Sequence, residues 1–150
     1  PHRVRFAPQN RLFEPADCIN YSAYKKLNNP QLIVRAMNHL FDLQNMSEEY
    51  LYMLTFNNKC DLTGVFEISH GTVNSSIASP REIFNKALLV GALNIVLVHN
   101  HPSGDMEASR EDMLLTRRIK DSGQLLNVEL LDHIIIGLES FNSMKETNLL

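Results

Sequence analysis

The chain has 150 residues, enough for one domain with a core that needs no disulfide staples. Hydrophobic residues make up 44 % and charged residues 21 %, which excludes wholesale disorder. Fourteen Lys and Arg against seventeen Asp and Glu leave a formal charge of −3, so electrostatics give no support for sequence-independent nucleic-acid binding.

Residues 1–29 read as an irregular arm, punctuated by Pro8, Asn10, Pro15, Asn20, Asn28 and Asn29, with room only for short helical turns. The arm either packs on the body or links it to an upstream domain. The chain starts Pro-His-Arg, without Met or an apolar segment, and so reads as a fragment or trimmed chain with no signal peptide. A body follows over residues 30–150. Pro30 opens a first helix whose Leu32, Ile33, Ala36, Leu40 and Leu43 fall on one face, and Met46 and Ser47 end it. Tyr50–Phe56 and Gly64–Ser69 read as a hairpin, with Asn57 and Asn58 in the turn. The first of these strands is expected at a sheet edge, where it could pair with a neighbour or an extended substrate. Gly71 to Ser76 is a polar loop. Ser79, Pro80 and Glu82 start a helix that runs to about Gly91. Ile95–His99 is an unbroken apolar run ending in His, the mark of a strand buried on both faces. Ser109 caps a helix to about Ser122, closed by Gly123, and Val128–Leu131 and His133–Ile136 read as two further strands. Strands alternating with helices make this an α/β layered domain.

No run reaches the ~18 apolar residues of a membrane span. Cys18 and Cys60 are too few for a disulfide framework and form no C-x-x-C pair, which fits reduced thiols in a cytoplasmic protein.

Chemistry concentrates at the end of the apolar run. His99 and His101 stand two residues apart on extended chain, so both imidazoles point to the same side. Pro102 and Gly104 let the chain turn back and bring Asp112, in the first turn of the next helix, to the pair. Two imidazoles and a carboxylate suit a zinc ion with one position open, although iron or manganese fits the same donors. Ser109 and Asp112 also spell a capping-box variant, which explains both residues without a metal. Hydrolysis at such a site needs a general base, for which Glu48, Glu49 and Glu67 are the candidates, and Ser103 or Ser109 could donate to an oxyanion.

The pattern His99-x-His101-x7-Ser109-x2-Asp112 resembles the JAMM motif of the MPN-plus metalloproteases. Over about residues 47–146 the chain resembles more closely the RadC family, a bacterial branch of that superfamily. The resemblance is carried by Gly71–Ser76, Pro80-Arg81-Glu82, His99-Asn100-His101-Pro102-Ser103-Gly104, Thr116-Arg117-Arg118 and Leu131-Asp132-His133-Ile134. It implies an αβα layered fold like that of cytidine deaminases, with a mixed sheet flanked by helices. It implies zinc on His99, His101 and Asp112, Glu49 as general base with Glu48 as fallback, and Ser109 stabilising the tetrahedral intermediate. Asp132-His133 is also a family feature, with His133 read as structural or as support to the ligands. Two departures stand out. The N-terminal domain that suggested DNA contact in larger members is not recognisable in residues 1–46, and His70 stands where the family commonly has arginine.

The resulting expectation is a zinc-dependent hydrolase that cleaves a peptide or isopeptide bond in a peptide or protein substrate. Its rival is a non-catalytic module that binds DNA or a DNA-repair partner, with a structural or vestigial metal. Deamination is disfavoured because neither H-x-E nor P-C-x-x-C is present.

Overall fold

The computed structural model describes residues 4–6, 26–71 and 78–150. In chain order it contains β1 (Val4–Phe6), α1 (Pro30–Phe41), a 3-10 turn (Leu43–Asn45), β2 (Glu49–Phe56) and β3 (Leu62–Gly71). These are followed by α2 (Pro80–Leu89), β4 (Asn94–Asn100), α3 (Arg110–Leu126), β5 (Glu129–Ile136) and β6 (Phe141–Ser143). The strands form one mixed sheet in the order β1-β3-β2-β4-β5-β6. Strands β2 and β3 are the antiparallel hairpin, β2 and β4 are antiparallel, and β4 and β5 are parallel, joined through α3.

Alternation along the strands builds a core on each face. Tyr52, Leu54, Val96, Val98, Ile134 and Ile136 meet Ile33, Ala36 and Met37 of α1. Leu51, Met53, Ile95, Leu97 and Phe66 meet Ile83, Phe84 and Ala87 of α2 and Leu115 and Ile119 of α3. The expected α/β sandwich is therefore formed, and β4 is buried on both sides as its unbroken apolar run implied. Among the described residues no helix is long and apolar enough to cross a membrane. Cys60 is free and exposed, while Cys18 and the polar loop at 72–76 lie outside the described residues.

Several boundaries differ from the sequence reading, each for a local reason. Within the N-terminal arm, Val4–Phe6 is a strand paired in parallel with Gly64–Phe66 of β3. Helix α1 stops at Phe41, because Asp42 turns left-handed (φ 52°) and its N–H caps the Asn38 carbonyl. Leu43 thus enters the core from the 3-10 turn rather than from the helix. Helix α3 runs a full turn beyond Gly123 to a left-handed cap at Asn127. Gly123 is an approach residue, not a terminator: a Cβ there would lie 2.2 Å from the Val128 carbonyl oxygen. The two expected strands after it are one strand, β5, with a register shift where Leu131 is passed over between Ile95↔Leu130 and Val96↔Asp132. Strand β2 is central, hydrogen-bonded to β3 on one side and β4 on the other, so it offers no edge for an added strand.

Candidate metal centre

The carboxyl end of β4, beside its parallel neighbour β5, is where open α/β sheets commonly place ligands. His99 pairs with Leu51 and Ile135 and faces the α2–α3 side of the sheet, where it is 3 % exposed. His101 follows just past the strand, its N–H held by the Ile136 carbonyl at 2.9 Å. The residue between them must point to the opposite face, and there Asn100 is 1 % exposed. Its Oδ1 accepts the Tyr50 N–H at 2.7 Å and its Nδ2 donates to the Glu48 carbonyl at 2.9 Å. These two bonds bracket Glu49 and pin it to the end of β4. Sequence reading assigned Asn100 no role, although its place between two same-facing histidines marked it as the residue aimed at the other face.

Beyond His101 the chain turns through Gly104 (φ +82°). The Asp105 carbonyl comes back to His101 Nδ1 at 2.7 Å. The next turn ends at Ser109, which caps α3. The Asp112 N–H donates to Ser109 Oγ at 3.0 Å, and the Ser109 N–H donates to Asp112 Oδ2 at 2.8 Å. This capping box is complete, and it also aims the carboxylate at the histidines. Asp112 Oδ1 lies 3.2 Å from His99 Nε2, and Oδ2 lies 3.3 Å from His101 Nε2. The capping and ligand readings of Ser109 and Asp112 are thus compatible in one helix start.

His99 Nε2 and His101 Nε2 are 2.9 Å apart. Ligand atoms ~2.0–2.1 Å from a tetrahedral zinc stand about 3.3 Å from one another, close to the spacing of His99, His101 and Asp112. Glu49 Oε1 completes the cluster from β2, 3.6 Å from His101 Nε2 and 4.0 Å from His99 Nε2. Glu49, His99 and His101 present ligand atoms all within 4.8 Å of one another, so these three could hold a metal ion as a set. Asp112 adds a carboxylate that touches both imidazoles.

The donor chemistry supports a cation. A carbonyl oxygen only accepts, so His101 Nδ1 carries a proton toward Asp105 and Nε2 of the neutral ring is a lone pair. The His101 lone pair, His99 Nε2 and the Asp112 carboxylate crowd one another at 2.9–3.3 Å, which calls for a cation or a proton among them. The ionisation behaviour of the chain alone fits this. Its hydrogen bond to Asp112 raises His101 above its ordinary pKa against the opposing effect of burial, aided by the Asp105 carbonyl and the charges of Asp112 and Glu49. Burial by itself would raise Asp112. The hydrogen bonds from His101 and His99, the charge on His99 and the Ser109 N–H outweigh it and hold the carboxyl far below the usual range.

The remaining candidates lie elsewhere. The Glu48 side chain is exposed, and only its carbonyl serves the site, through Asn100. Glu67 pairs in register with Tyr52, which belongs to the α1-side core, and its Oε1 lies 3.1 Å from His70 Nδ1. His70 also stacks on Tyr50 with ring centroids 5.3 Å apart. Ser103 is exposed in the turn, its Oγ accepting the Asp105 N–H at 3.3 Å. His133 is wholly buried, with its Nε2 2.8 Å from His99 Nδ1. Burial, reinforced by the charge of His99, holds it well below the ordinary histidine pKa. Asp132 turns away from the site to bond Ser143 Oγ and the Lys145 and His133 N–H groups.

Comparison with known proteins adds to this geometry. The family described as the RadC-like JAB domain matches residues 27–149. The chain is 43 % identical over 109 residues to a UPF0758 protein of Desulforamulus reducens, covering 73 % of this chain and 48 % of the relative. It is 42 % identical over 111 residues to a UPF0758 protein of Moorella thermoacetica, covering 74 % and 48 %. It is 47 % identical over 105 residues to one of Bacillus licheniformis, covering 70 % and 47 %. The matched segment thus spans about half the length of these relatives.

Proposed function

Because the chain belongs to the family of RadC-like JAB domains, we propose that it is a zinc-dependent hydrolase acting on a peptide or isopeptide bond. The family relation implies the JAMM/MPN superfamily. The observation that carries the proposal is the convergence of His99, His101 and Asp112: the two Nε2 atoms lie 2.9 Å apart, each 3.2–3.3 Å from a different oxygen of the Asp112 carboxylate, with a second carboxylate from Glu49 facing them. In this reading His99, His101 and Asp112 hold the ion and Glu49 stays outside the ligand set as the base.

A zinc ion in such a site supplies Lewis acidity, polarising the scissile carbonyl and making water acidic near pH 7. The protein supplies the rest. The Glu49 carboxylate, carried on backbone held by the Asn100 bracket, takes a proton from the attacking water and passes it to the leaving amine. Ser109 already accepts the Asp112 N–H through Oγ, so its hydroxyl proton is the part it can offer to the developing oxyanion. The capping box holds Asp112 at the helix start, where the macrodipole favours its negative charge. A peptide or protein is therefore the proposed substrate. The net charge of −3 gives no independent reason to prefer DNA.

Elemental analysis of the chain purified without added metal or chelator tests the site. About one zinc per chain, lost in His99→Ala/His101→Ala, is the expected result. Amide hydrolysis that disappears in Glu49→Gln while zinc is retained supports the assigned roles. Zinc that fails to bind even on titration overturns the proposal. Bound zinc with no cleavage across a panel of peptide and isopeptide substrates moves the domain to a non-catalytic binding role.

A further inference from the structure

A chain of hydrogen bonds runs behind His99 and ends on the backbone of Asp112. Thr116 Oγ1 is 2.7 Å from the Asp112 carbonyl oxygen and 2.6 Å from His133 Nδ1. His133 Nε2 is 2.8 Å from His99 Nδ1. Thr116 is 2 % exposed, His133 0 % and His99 3 %, so solvent offers these groups no substitute partner.

The direction of every proton follows from the end of the chain. Two oxygens 2.7 Å apart need a proton between them and the Asp112 carbonyl can only accept, so Thr116 gives its one hydroxyl proton there rather than to His133 Nδ1 or to the poor acceptor Met144 Sδ at 3.4 Å. Toward His133, Thr116 is therefore the acceptor, and His133 Nδ1 carries the proton. Between His133 Nε2 and His99 Nδ1, 2.8 Å apart, one proton is shared, and an imidazole that gives Nε2 to a cation keeps its proton on Nδ1, so His133 Nε2 is the lone pair. His99 Nδ1 must then be the donor, which leaves His99 Nε2 as a lone pair facing His101 and Asp112. His101 reaches the same state by a separate route, through the Asp105 carbonyl.

We propose that Thr116 and His133 are positioning residues: they set the tautomer of His99 so that Nε2 is presented to a divalent cation, and they tie that ring to the backbone of Asp112. The inference rests on the metal reading of the site and adds two residues to it. The helix makes the link possible, because Thr116 lies one turn after Asp112 and on the same face of α3. Groups that orient metal-bound histidines commonly change affinity about 10–100-fold when removed.

Zinc affinity, measured by competition with a chromogenic chelator, tests the proposal on wild type, Thr116→Val and His133→Gln. Thr116→Val is isosteric and touches no ligand side chain. It frees His133 to carry its proton on Nε2, against His99, and should weaken zinc about tenfold or more. His133→Gln keeps an oxygen able to accept from His99 Nδ1 and should stay within a few-fold of wild type. Nitrogen-15 NMR of the histidine rings in zinc-loaded wild type should show His133 protonated on Nδ1. That readout needs no variant to fold. A purely structural role would lower the unfolding temperature of Thr116→Val and leave zinc affinity unchanged, which overturns the proposal while wild-type binding upholds the site. His133 protonated on Nε2 overturns it as well. Wild type that binds no zinc removes the metal reading and this inference together.

Discussion

Asn100 shows how one residue type serves two faces of a strand. In His99-Asn100-His101 the histidines turn to the α3 side while the amide clamps the backbone on both sides of Glu49. Asn100→Ala leaves a part-buried N–H and a part-buried carbonyl without these partners, a cost of at most about 1–3 kcal/mol each. The expected result is a domain that still binds zinc within a few-fold but loses ten-fold or more in kcat, because Glu49 drifts. Metal titration beside steady-state kinetics separates the two effects. His133 carries a pH signature in the metal-free chain. Its folded-state pKa is depressed, mainly by burial. The unfolded chain therefore takes up a proton near pH 6.5 that the folded chain refuses. This contribution lowers stability as pH falls through that value, by at most about 1.4 kcal/mol per pH unit for one proton. His101 acts in the opposite sense, since its folded pKa is raised: its stabilisation is full below about pH 6.5 and fades as pH rises through the raised value. Urea unfolding between pH 5 and 7.5 should therefore show a shallower acid loss in His133→Gln than in wild type. Equal slopes would deny His133 its buried neutral state.

At the scale of elements, α3 joins stability to chemistry. Its first turn carries the Ser109–Asp112 box, the next turn Thr116, and Leu115 and Ile119 go into the core. The position of Gly123 within it reverses an ordinary rule. Inside a helix Ala is worth about 1 kcal/mol more than Gly. Here the added methyl would meet the Val128 carbonyl oxygen at 2.2 Å and Phe84 Cζ at 3.4 Å. Gly123→Ala should therefore destabilise the domain by about 1–3 kcal/mol, the usual cost of overpacking. Equilibrium unfolding in urea checks both sign and size, and a gain in stability would show that α3 can move off the start of β5. The helix starts were readable because caps and proline are local signals: Ser79, Pro80, Ser109 and Pro30 all stand where expected. The helix ends were not. Gly123 looked like a terminator because sequence shows a missing side chain without showing what fills its place.

At the scale of the molecule, the sheet order draws the site together from separate elements. Glu49 opens β2, His99 and His101 close β4, Asp112 starts α3 and His133 lies on β5. An ion bound by the folded cluster but not by the unfolded chain stabilises the whole domain by mass action. Zinc at a hundred-fold its Kd should add about 2.7 kcal/mol, read as a raised Tm that disappears in His99→Ala/His101→Ala. No shift in wild type at saturating zinc would mean that the cluster is not a folded-state cation site.

The sequence by itself determined whatever depends on neighbours along the chain. Periodicity of two placed His99 and His101 on one side, the capping pattern placed Asp112 in the first turn of its helix, and the unbroken apolar run made β4 a doubly buried strand. Motif resemblance chose Glu49 over Glu48 and Glu67. Tertiary structure decided what depends on pairing between distant segments. Strand register put β2 in the interior instead of at an edge, sent Glu67 to the α1 face, and brought Asn100 to Tyr50 and Glu48. The link from Thr116 through His133 to His99 spans a helix and two strands. Hydrogen bonds between such segments depend on packing distance and leave no periodic trace in the chain.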